Sequence, residues 1–160
     1  MDKLNIIYVD DQREVLSTLS KDLEIFEKYF NVEECESADE AIELINDLDA
    51  KGDFISVIIS DHIMPGKNGV EFLTTINRDS RFKLTKKMLL TGQATHQDTI
   101  TAINQANIEK YIEKPWKSEY LIESVKVLIT QYILNAGIDY QKYLPILHQA
   151  TLLSILQDKM

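Results

Sequence analysis

The stretch that decides the fold of this chain runs Phe54-Ile55-Ser56-Val57-Ile58-Ile59-Ser60-Asp61-His62-Ile63-Met64-Pro65-Gly66-Lys67-Asn68-Gly69. Its first six residues are almost continuously apolar, which predicts a strand buried on both faces of a parallel sheet. The strand leads to a carboxylate, Asp61, and a loop rich in Pro and Gly follows at once. In an open α/β sheet, ligands bind beyond the carboxyl ends of the strands. Asp61 is therefore the first candidate for a functional residue.

Matching side chains follow three other predicted strands. They are the pair Asp10-Asp11, then Thr91, then Lys114. Taken singly, each has a plain structural explanation: a helix cap, a strand end or a solvated lysine. Because the carboxyl ends of parallel strands meet at one edge of a sheet, the whole set is expected to converge with Asp61. The set, and no single member of it, predicts a site.

Apolar periodicity predicts five strands, each followed by a helix. The strands are 4–9, 30–35, 54–59, 87–90 and 108–112, and the helices are 13–29, 37–51, 70–77, 93–107 and 117–136. This alternation predicts an α/β fold, a doubly wound parallel sheet with helices on both faces. No glycine-rich phosphate-binding loop follows the first strand, which disfavours nucleotide binding of that kind.

The composition of the chain argues against membrane-spanning, disulfide-bonded and nucleic-acid-binding classes of protein. The chain has 160 residues, 44% hydrophobic and 27% charged, which suits one globular domain with a few residues left over. No apolar run reaches the ~20 residues of a membrane span, and the start leaves no room for a signal peptide. The single cysteine, Cys35, excludes an internal disulfide and favours the cytoplasm. A net charge of −9 without clustered Lys and Arg argues against direct nucleic-acid binding.

Three carboxylates at one edge of a sheet repel one another, so they bind protons or a cation. Mg²⁺ prefers oxygen ligands, octahedral geometry and several retained waters. The residues therefore predict a Mg²⁺ site built from Asp11, Asp61, a backbone carbonyl and waters.

The acids, the hydroxyl and the lysine, in this order, resemble the receiver domain of two-component response regulators over roughly residues 3–136. Thr91 follows Asp61 by 91 − 61 = 30 residues and Lys114 follows it by 114 − 61 = 53. The resemblance implies the strand order 2-1-3-4-5 and phosphorylation of Asp61, with Mg²⁺, by a histidine kinase or phosphotransfer protein. It also implies a switch in the binding of a downstream partner or output domain. Self-phosphorylation and slow hydrolysis would be its only chemistry, so no turnover enzyme is expected.

The family's roles carry over residue by residue. The backbone carbonyl of Ile63 is expected to complete the metal site, and Asp10 to act on the metal mainly through a water. Thr91 and Lys114 are expected to contact the phosphoryl oxygens. Tyr111 occupies the position of the aromatic switch residue that turns inward when Thr91 moves.

The family also implies two finer features. The Lys114–Pro115 peptide bond is expected to be cis. Ile63 and Gln93 stand at the positions that tune the lifetime of the phosphorylated state, and the aliphatic Ile63 predicts a state that is not unusually short-lived. The histidines are weaker signals: His62 borders the site, and His96 and His148 are expected to be surface or packing residues.

Residues 137–160 lie beyond the predicted receiver domain, 1–136. Eight apolar residues within 144–156 spread nearly all round a helical wheel, which predicts a helical extension that is buried or held between partners. The extension would pack on the helix over 117–136 or pair with another copy in a homodimer. Pro145 and Gly137 argue against one continuous coiled coil.

Three alternatives stay open. The chain could be the receiver of a larger regulator. Two of its sequence motifs, Thr91-Gly92-Gln93-Ala94 and Lys114-Pro115-Trp116, resemble those of receivers joined to cyclic-dinucleotide phosphodiesterase or kinase modules. It could be an interaction module that is never phosphorylated, although such proteins usually lack an acid or the lysine. A phosphohydrolase of the haloacid dehalogenase type also uses an aspartyl phosphate, but its two acids are separated by one residue.

Overall fold

The structure, a computed structural model, describes residues 3–92 and 97–159. Gln93 and His96, which the sequence singled out, lie outside the described residues. Five strands form one parallel sheet in the order β2-β1-β3-β4-β5, as predicted. The strands are β1 (Leu4–Val9), β2 (Asn31–Cys35), β3 (Phe54–Asp61), β4 (Lys86–Thr91) and β5 (Lys110–Glu113). The helices are α1 (Arg13–Asp22), α2 (Ala38–Ala50), α3 (Gly69–Asn77), α4 (Gln97–Gln105), α5 (Ser118–Asn135) and α6 (Gln149–Asp158), with 3₁₀ turns at Glu24–Phe26, Ser80–Phe82 and Tyr140–Ile146.

Helices cover both faces of the sheet, so the central strands are buried on both sides. Successive residues of a strand point to opposite faces. Ile6 of β1 accordingly packs in a cluster with α1 and α5, while Ile7 packs in a second cluster with α2, α3 and α4. In β3 every residue after Phe54 is buried, which explains why its sequence lacks polar alternation.

The second half of the predicted helix over 13–29 is wrong. Helix α1 ends at Asp22, and a 3₁₀ turn over Glu24–Phe26 follows. There the Phe26 amide donates to the carbonyl of Leu23 at 3.0 Å, a spacing of three residues. Leu23 and Phe26 are both fully buried. Because 3₁₀ and α turns both place residues three apart on one side, the apolar pattern continued past the end of the helix.

Helix α2 begins where the sequence predicts it, with Ser37 as its N-cap. The Ser37 hydroxyl accepts a hydrogen bond from the Glu40 amide at 3.1 Å. In a capping box the Glu40 carboxylate would accept a hydrogen bond from the amide of the N-cap residue, Ser37. Here it accepts instead from the amide of the preceding residue, Glu36, at 3.1 Å. Both bonds satisfy amides at the start of the helix, which fixes the turn between β2 and α2.

The C-terminal extension packs against α5 of its own chain. Helix α5 ends at Asn135, and Gly137 adopts a φ of 71° beyond it, a conformation that suits glycine. The His148 amide donates to the Thr130 hydroxyl at 2.9 Å, and Lys159 Nζ donates to the Leu134 carbonyl at 3.4 Å. These two contacts hold both ends of α6 against α5.

No helix within residues 3–92 and 97–159 has both the length and the hydropathy that a bilayer span requires.

Candidate functional site

Three carboxylates meet at the carboxyl edge of the sheet. Asp10 follows β1, Asp61 ends β3, and these two strands are neighbours. Oxygens of Asp10, Asp11 and Asp61 all lie within 4.8 Å of one another. Asp10 and Asp61 are buried, whereas Asp11 is exposed. The cluster can therefore bind a metal ion that approaches from the solvent side.

The capping explanation of the first acidic pair is wrong. The residue at the N-cap of α1 is Gln12, and its side chain makes no capping bond. Asp10 instead accepts a hydrogen bond from the Gln12 amide at 2.8 Å, while its own amide bonds the carbonyl of Cys35 at 3.1 Å. These bonds hold the Asp10 carboxylate at the strand end, facing Asp61 and Lys114.

Lys114 follows β5, and its side chain reaches the acids across the end of β4. Its Nζ lies 2.5 Å from Asp61 Oδ1 and 3.3 Å from Asp10 Oδ2. Its backbone amide donates to the Thr91 carbonyl at 2.9 Å, which continues the pairing of β4 with β5. The Lys114–Pro115 peptide bond is cis, as predicted. One ammonium thus faces two buried carboxylates that come from two different strands.

The pKa values of the site reflect burial and close charges. Burial raises the pKa of Asp61, with Asp10 adding to the effect and Lys114 opposing it. Burial alone would lower the pKa of Lys114, but its hydrogen bond to Asp61 and the charges of both acids raise that pKa overall. Lys114 is therefore held as a cation. Burial lowers the pKa of His62 against the opposing charges of Asp61 and Glu71.

The loop after Asp61 folds back onto its own strand. The Gly69 amide donates to the His62 carbonyl at 2.8 Å. A Cβ on Gly69 would lie 2.2 Å from the Asp61 carbonyl oxygen, so only glycine fits this approach. Asn68 then caps α3 in a full capping box with Glu71, through bonds of 2.8 Å and 3.1 Å. Loop closure and helix start together fix the rim of the site.

A cleft of about 620 Å³ opens above the acids. Its walls include Asp11, Asp61, Ile63, Thr91 and Lys114. Thr91 is buried and stands at the end of β4, between the strand ends that carry Asp61 and Lys114. The structure thus brings together the candidate residues that the sequence placed at strand ends.

Tyr111 lies outside this cleft. Its side chain is 43% exposed and lines a separate surface groove with Trp116 and Tyr120. The Lys110 ammonium sits 4.8 Å above the Tyr120 ring, which adds a cation–π contact to the same surface. The predicted switch residue therefore faces solvent in this structure.

The donor set fits a hard cation. All three side chains offer carboxylate oxygens, two of them buried, and no sulfur ligand joins them within the described part of the chain. Asp11 and Ile63 lie on the walls of the cleft with Asp61.

Comparison with known proteins identifies the family. The response regulator receiver domain family matches residues 6–126. The chain belongs to this family of receiver domains. Two-component receivers are signalling modules, and the five-stranded sheet with its acidic edge is the family's architecture.

The relatives of this receiver domain differ in how much of their own length the receiver makes up. Hydrogenase transcriptional regulatory protein HoxA of Cupriavidus necator is 33% identical over 76% of this chain but only 23% of its own length. Chemotaxis protein CheY1 of Helicobacter pylori is 29% identical over 79% of this chain and 97% of its own length. The receiver is therefore a small part of the first relative and nearly all of the second.

Solved structures agree on the fold. The crystal structure of adenylate cyclase from Rhodopirellula baltica is 28% identical, with a TM-score of 0.70 over 91% of this chain and 98% of that chain. A CheY-like receiver domain protein from Methanospirillum hungatei has a TM-score of 0.69 at 24% identity, over 84% of this chain.

Two features of this receiver domain escaped the sequence analysis. His62 borders the cleft as predicted, but its Nδ1 is buried and has no hydrogen-bond partner among the described residues. Trp116 donates a hydrogen bond from Nε1 to Asp22 Oδ2 at 2.9 Å. The bond joins residues 94 positions apart, so no local pattern could have indicated it.

Proposed function

We propose that this receiver domain is phosphorylated on Asp61 with Mg²⁺, by a histidine kinase or phosphotransfer protein, and that phosphorylation switches the binding of a downstream partner or output domain. The contact of Lys114 with Asp61 and Asp10 carries this proposal. It sets a cation beside the oxygen that would attack, at a strand end that opens into a cleft.

Asp11, Asp61 and the backbone carbonyl of Ile63 would hold the metal, and Asp10 would reach it mainly through a water. When bound, Mg²⁺ supplies positive charge to the phosphoryl oxygens, where charge must be neutralised during transfer. Support comes from the all-oxygen donor set and from its position at the acceptor carboxylate.

Three residues of the chain have separate roles in the proposed phosphoryl transfer. A carboxylate oxygen of Asp61 forms the new bond to phosphorus while the bond from phosphorus to the donor breaks, and the donor departs with that electron pair. Lys114 is held as a cation by the two acids, and it is placed to meet a phosphoryl oxygen. Thr91 offers a hydroxyl from the neighbouring strand end. Catalysis here is positioning and charge, so no multiple-turnover activity on other substrates is proposed.

The first experiment is intact mass after incubation with Mg²⁺ and acetyl phosphate. Wild type should gain one phosphoryl group, and Asp61→Asn should gain none. Asp11→Asn, which leaves the acceptor in place, should gain it much more slowly. If wild type gains nothing while Mg²⁺ binds, the chain is an interaction module and the proposal fails.

The surface around Tyr111 is the proposed output face. Tyr111 and Tyr120 are exposed there, and Lys110 lies over the Tyr120 ring. Tyr111→Ala should leave phosphorylation of Asp61 intact but abolish the change in amide exchange that phosphorylation produces in α4 and β5. Tyr120→Ala is the matched control. An undiminished change in the Tyr111 variant would exclude the switch role.

Ile63 bears on the lifetime of the phosphorylated state. Its side chain is 61% exposed at the mouth of the cleft, where it can hinder an attacking water. Dephosphorylation of wild type should therefore be slower than that of Ile63→Asn. Equal rates would remove this role. Gln93, the second position expected to tune this lifetime, lies outside the described residues.

Residues 1–136 are proposed as the receiver unit and 137–160 as an extension that serves in packing, in dimer formation or as the start of a linker. In HoxA the matching part is only 23% of the protein, so a receiver there is joined to further sequence, and this supports the linker role. The exposed Leu153 on α6 supports a homodimer. Light scattering over a range of concentrations, for wild type and Leu153→Glu, distinguishes the linker role from the homodimer. A dimer that forms in wild type and is lost in the variant favours self-association through α6.

A cytoplasmic location, without contact to nucleic acid or membrane, completes the proposal. Its support is the acidic charge of −9 and a lone buried cysteine.

A further inference from the structure

The connection from β5 to α5 is anchored to α1 by one hydrogen bond. Trp116, the only tryptophan of the chain, donates from Nε1 to Asp22 Oδ2 at 2.9 Å. Asp22 is the last residue of α1 and is only 7% exposed. The Trp116 ring packs on the cluster of side chains between α1, α5 and the sheet. The bond therefore lies at the edge of the core and not at the surface.

The choice of partner for Asp22 is unusual. Buried carboxylates are normally paired with a cation. Among the described residues no Lys, Arg or His forms an ion pair with Asp22, and its partner is the neutral indole N–H. The indole N–H thus satisfies a carboxylate that is almost wholly buried.

Trp116 lies two residues beyond the lysine of the site. The Lys114 amide is bound to the Thr91 carbonyl at 2.9 Å, so the connection over 114–116 is held at both ends. The first bond ties it to β4 and the second ties it to α1. Holding the backbone at both points limits the directions that the long, flexible lysine side chain can take.

We propose that the hydrogen bond from Trp116 to Asp22 positions Lys114, so that its ammonium reaches Asp61 and Asp10 together. Both residues act through Lys114, and neither touches the acids. This inference rests on the proposed function for its effect on phosphorylation. Its effect on the lysine itself is independent of any phosphodonor.

The variants follow from the bond. Trp116→Phe keeps an aromatic ring but removes the donor, and Asp22→Leu removes the acceptor. Asp22→Asn is the matched control, because its amide oxygen can still accept from the indole. Far-UV circular dichroism and thermal unfolding establish that each variant is folded.

The first readout is the amine of Lys114. Reductive methylation, followed by peptide mass analysis, measures how readily each lysine reacts. Lys114 should be methylated several-fold faster in Trp116→Phe and Asp22→Leu than in wild type and Asp22→Asn, while Lys126 is unchanged. Equal rates at Lys114 in all four proteins would overturn the proposal, whatever the fate of Asp61.

The second readout is a double-mutant cycle on the initial rate of phosphorylation by acetyl phosphate. Misplacing a reacting or stabilising group by about 1 Å can lower activity by roughly 100-fold. Trp116→Phe should show that loss in the wild-type chain and no further loss in the Lys114→Ala chain. The Mg²⁺-induced shift in unfolding temperature should be unchanged, since the acids stand on other strands. Equal losses with and without Lys114 would overturn the positioning role, whereas no phosphorylation of wild type would overturn the proposed function.

Discussion

The Nζ atom of Lys114 lies 2.5 Å from Oδ1 of Asp61, so an ion pair connects the ends of β5 and β3 across the intervening β4. Asp61 is buried and Lys114 is partly buried, and an ion pair removed from water recovers its desolvation cost only with good geometry. The pair neutralises charge that three clustered carboxylates would otherwise leave uncompensated. An incoming phosphoryl group or metal must therefore compete for these oxygens.

Gly69→Ala should destabilise the protein. The new Cβ would meet the Asp61 carbonyl oxygen at 2.2 Å and a Leu89 methyl at 2.8 Å, so the loop or the strand end must shift. We expect a loss of about 1–3 kcal/mol in the free energy of unfolding, measured by urea denaturation. Gly92→Ala, with nothing within 4 Å of its Cβ, is the control and should change stability little. A Gly69 variant as stable as wild type would contradict the observed closeness of loop and strand.

Mg²⁺ should stabilise the folded chain through the three acids. A ligand that binds only the native state adds about 2.7 kcal/mol at a concentration 100 times its Kd. Wild type should therefore show a rise in unfolding temperature with Mg²⁺, and Asp11→Asn should lose most of that rise. Asp47→Asn, an exposed acid on α2, is the control. An unchanged rise in the Asp11 variant would place the metal elsewhere.

The C-terminal extension should contribute to the stability of the core. Leu152 and Leu153 are adjacent on α6, but their exposed fractions are 4% and 59%. Leu152→Ala should cost about 2–5 kcal/mol in unfolding free energy, because it leaves a cavity against α5. Leu153→Ala should change it by no more than about 0.5 kcal/mol. Similar losses for the two variants in urea denaturation would show that α6 does not pack on α5 in solution as described.

Cys35 should react slowly with thiol reagents in the folded protein. Burial, with smaller contributions from nearby glutamates, raises the pKa of its thiol from 9.0 to about 12. A rise of three pKa units lowers the thiolate fraction about a thousandfold at pH 8. Reaction with Ellman's reagent should be slow in buffer and fast in concentrated urea. The raised pKa of Cys35 favours the native state below pH 9, and this contribution to stability is lost as the pH rises towards 12.

The alternation of apolar strands and amphipathic helices was enough to predict the parallel sheet, because each pattern is local. The site followed from the same reasoning. Parallel strands all present their carboxyl ends to one edge, so the acids at the ends of β1 and β3 and the lysine after β5 had to meet there. The strand order came from resemblance to the family, and the structure agrees with it.

The sequence by itself therefore determined the sheet, the converging residues and the starts of helices such as that at Ser37. Only the tertiary structure decided where α1 ends, which side of α6 is buried and which partner Asp22 takes. The reason is physical. Apolar periodicity records which residues avoid water, whereas the side chains that cover them come from distant parts of the chain. Leu152 faces α5 and Leu153 faces solvent because α6 lies along α5 through His148 and Lys159, and that placement is a long-range contact.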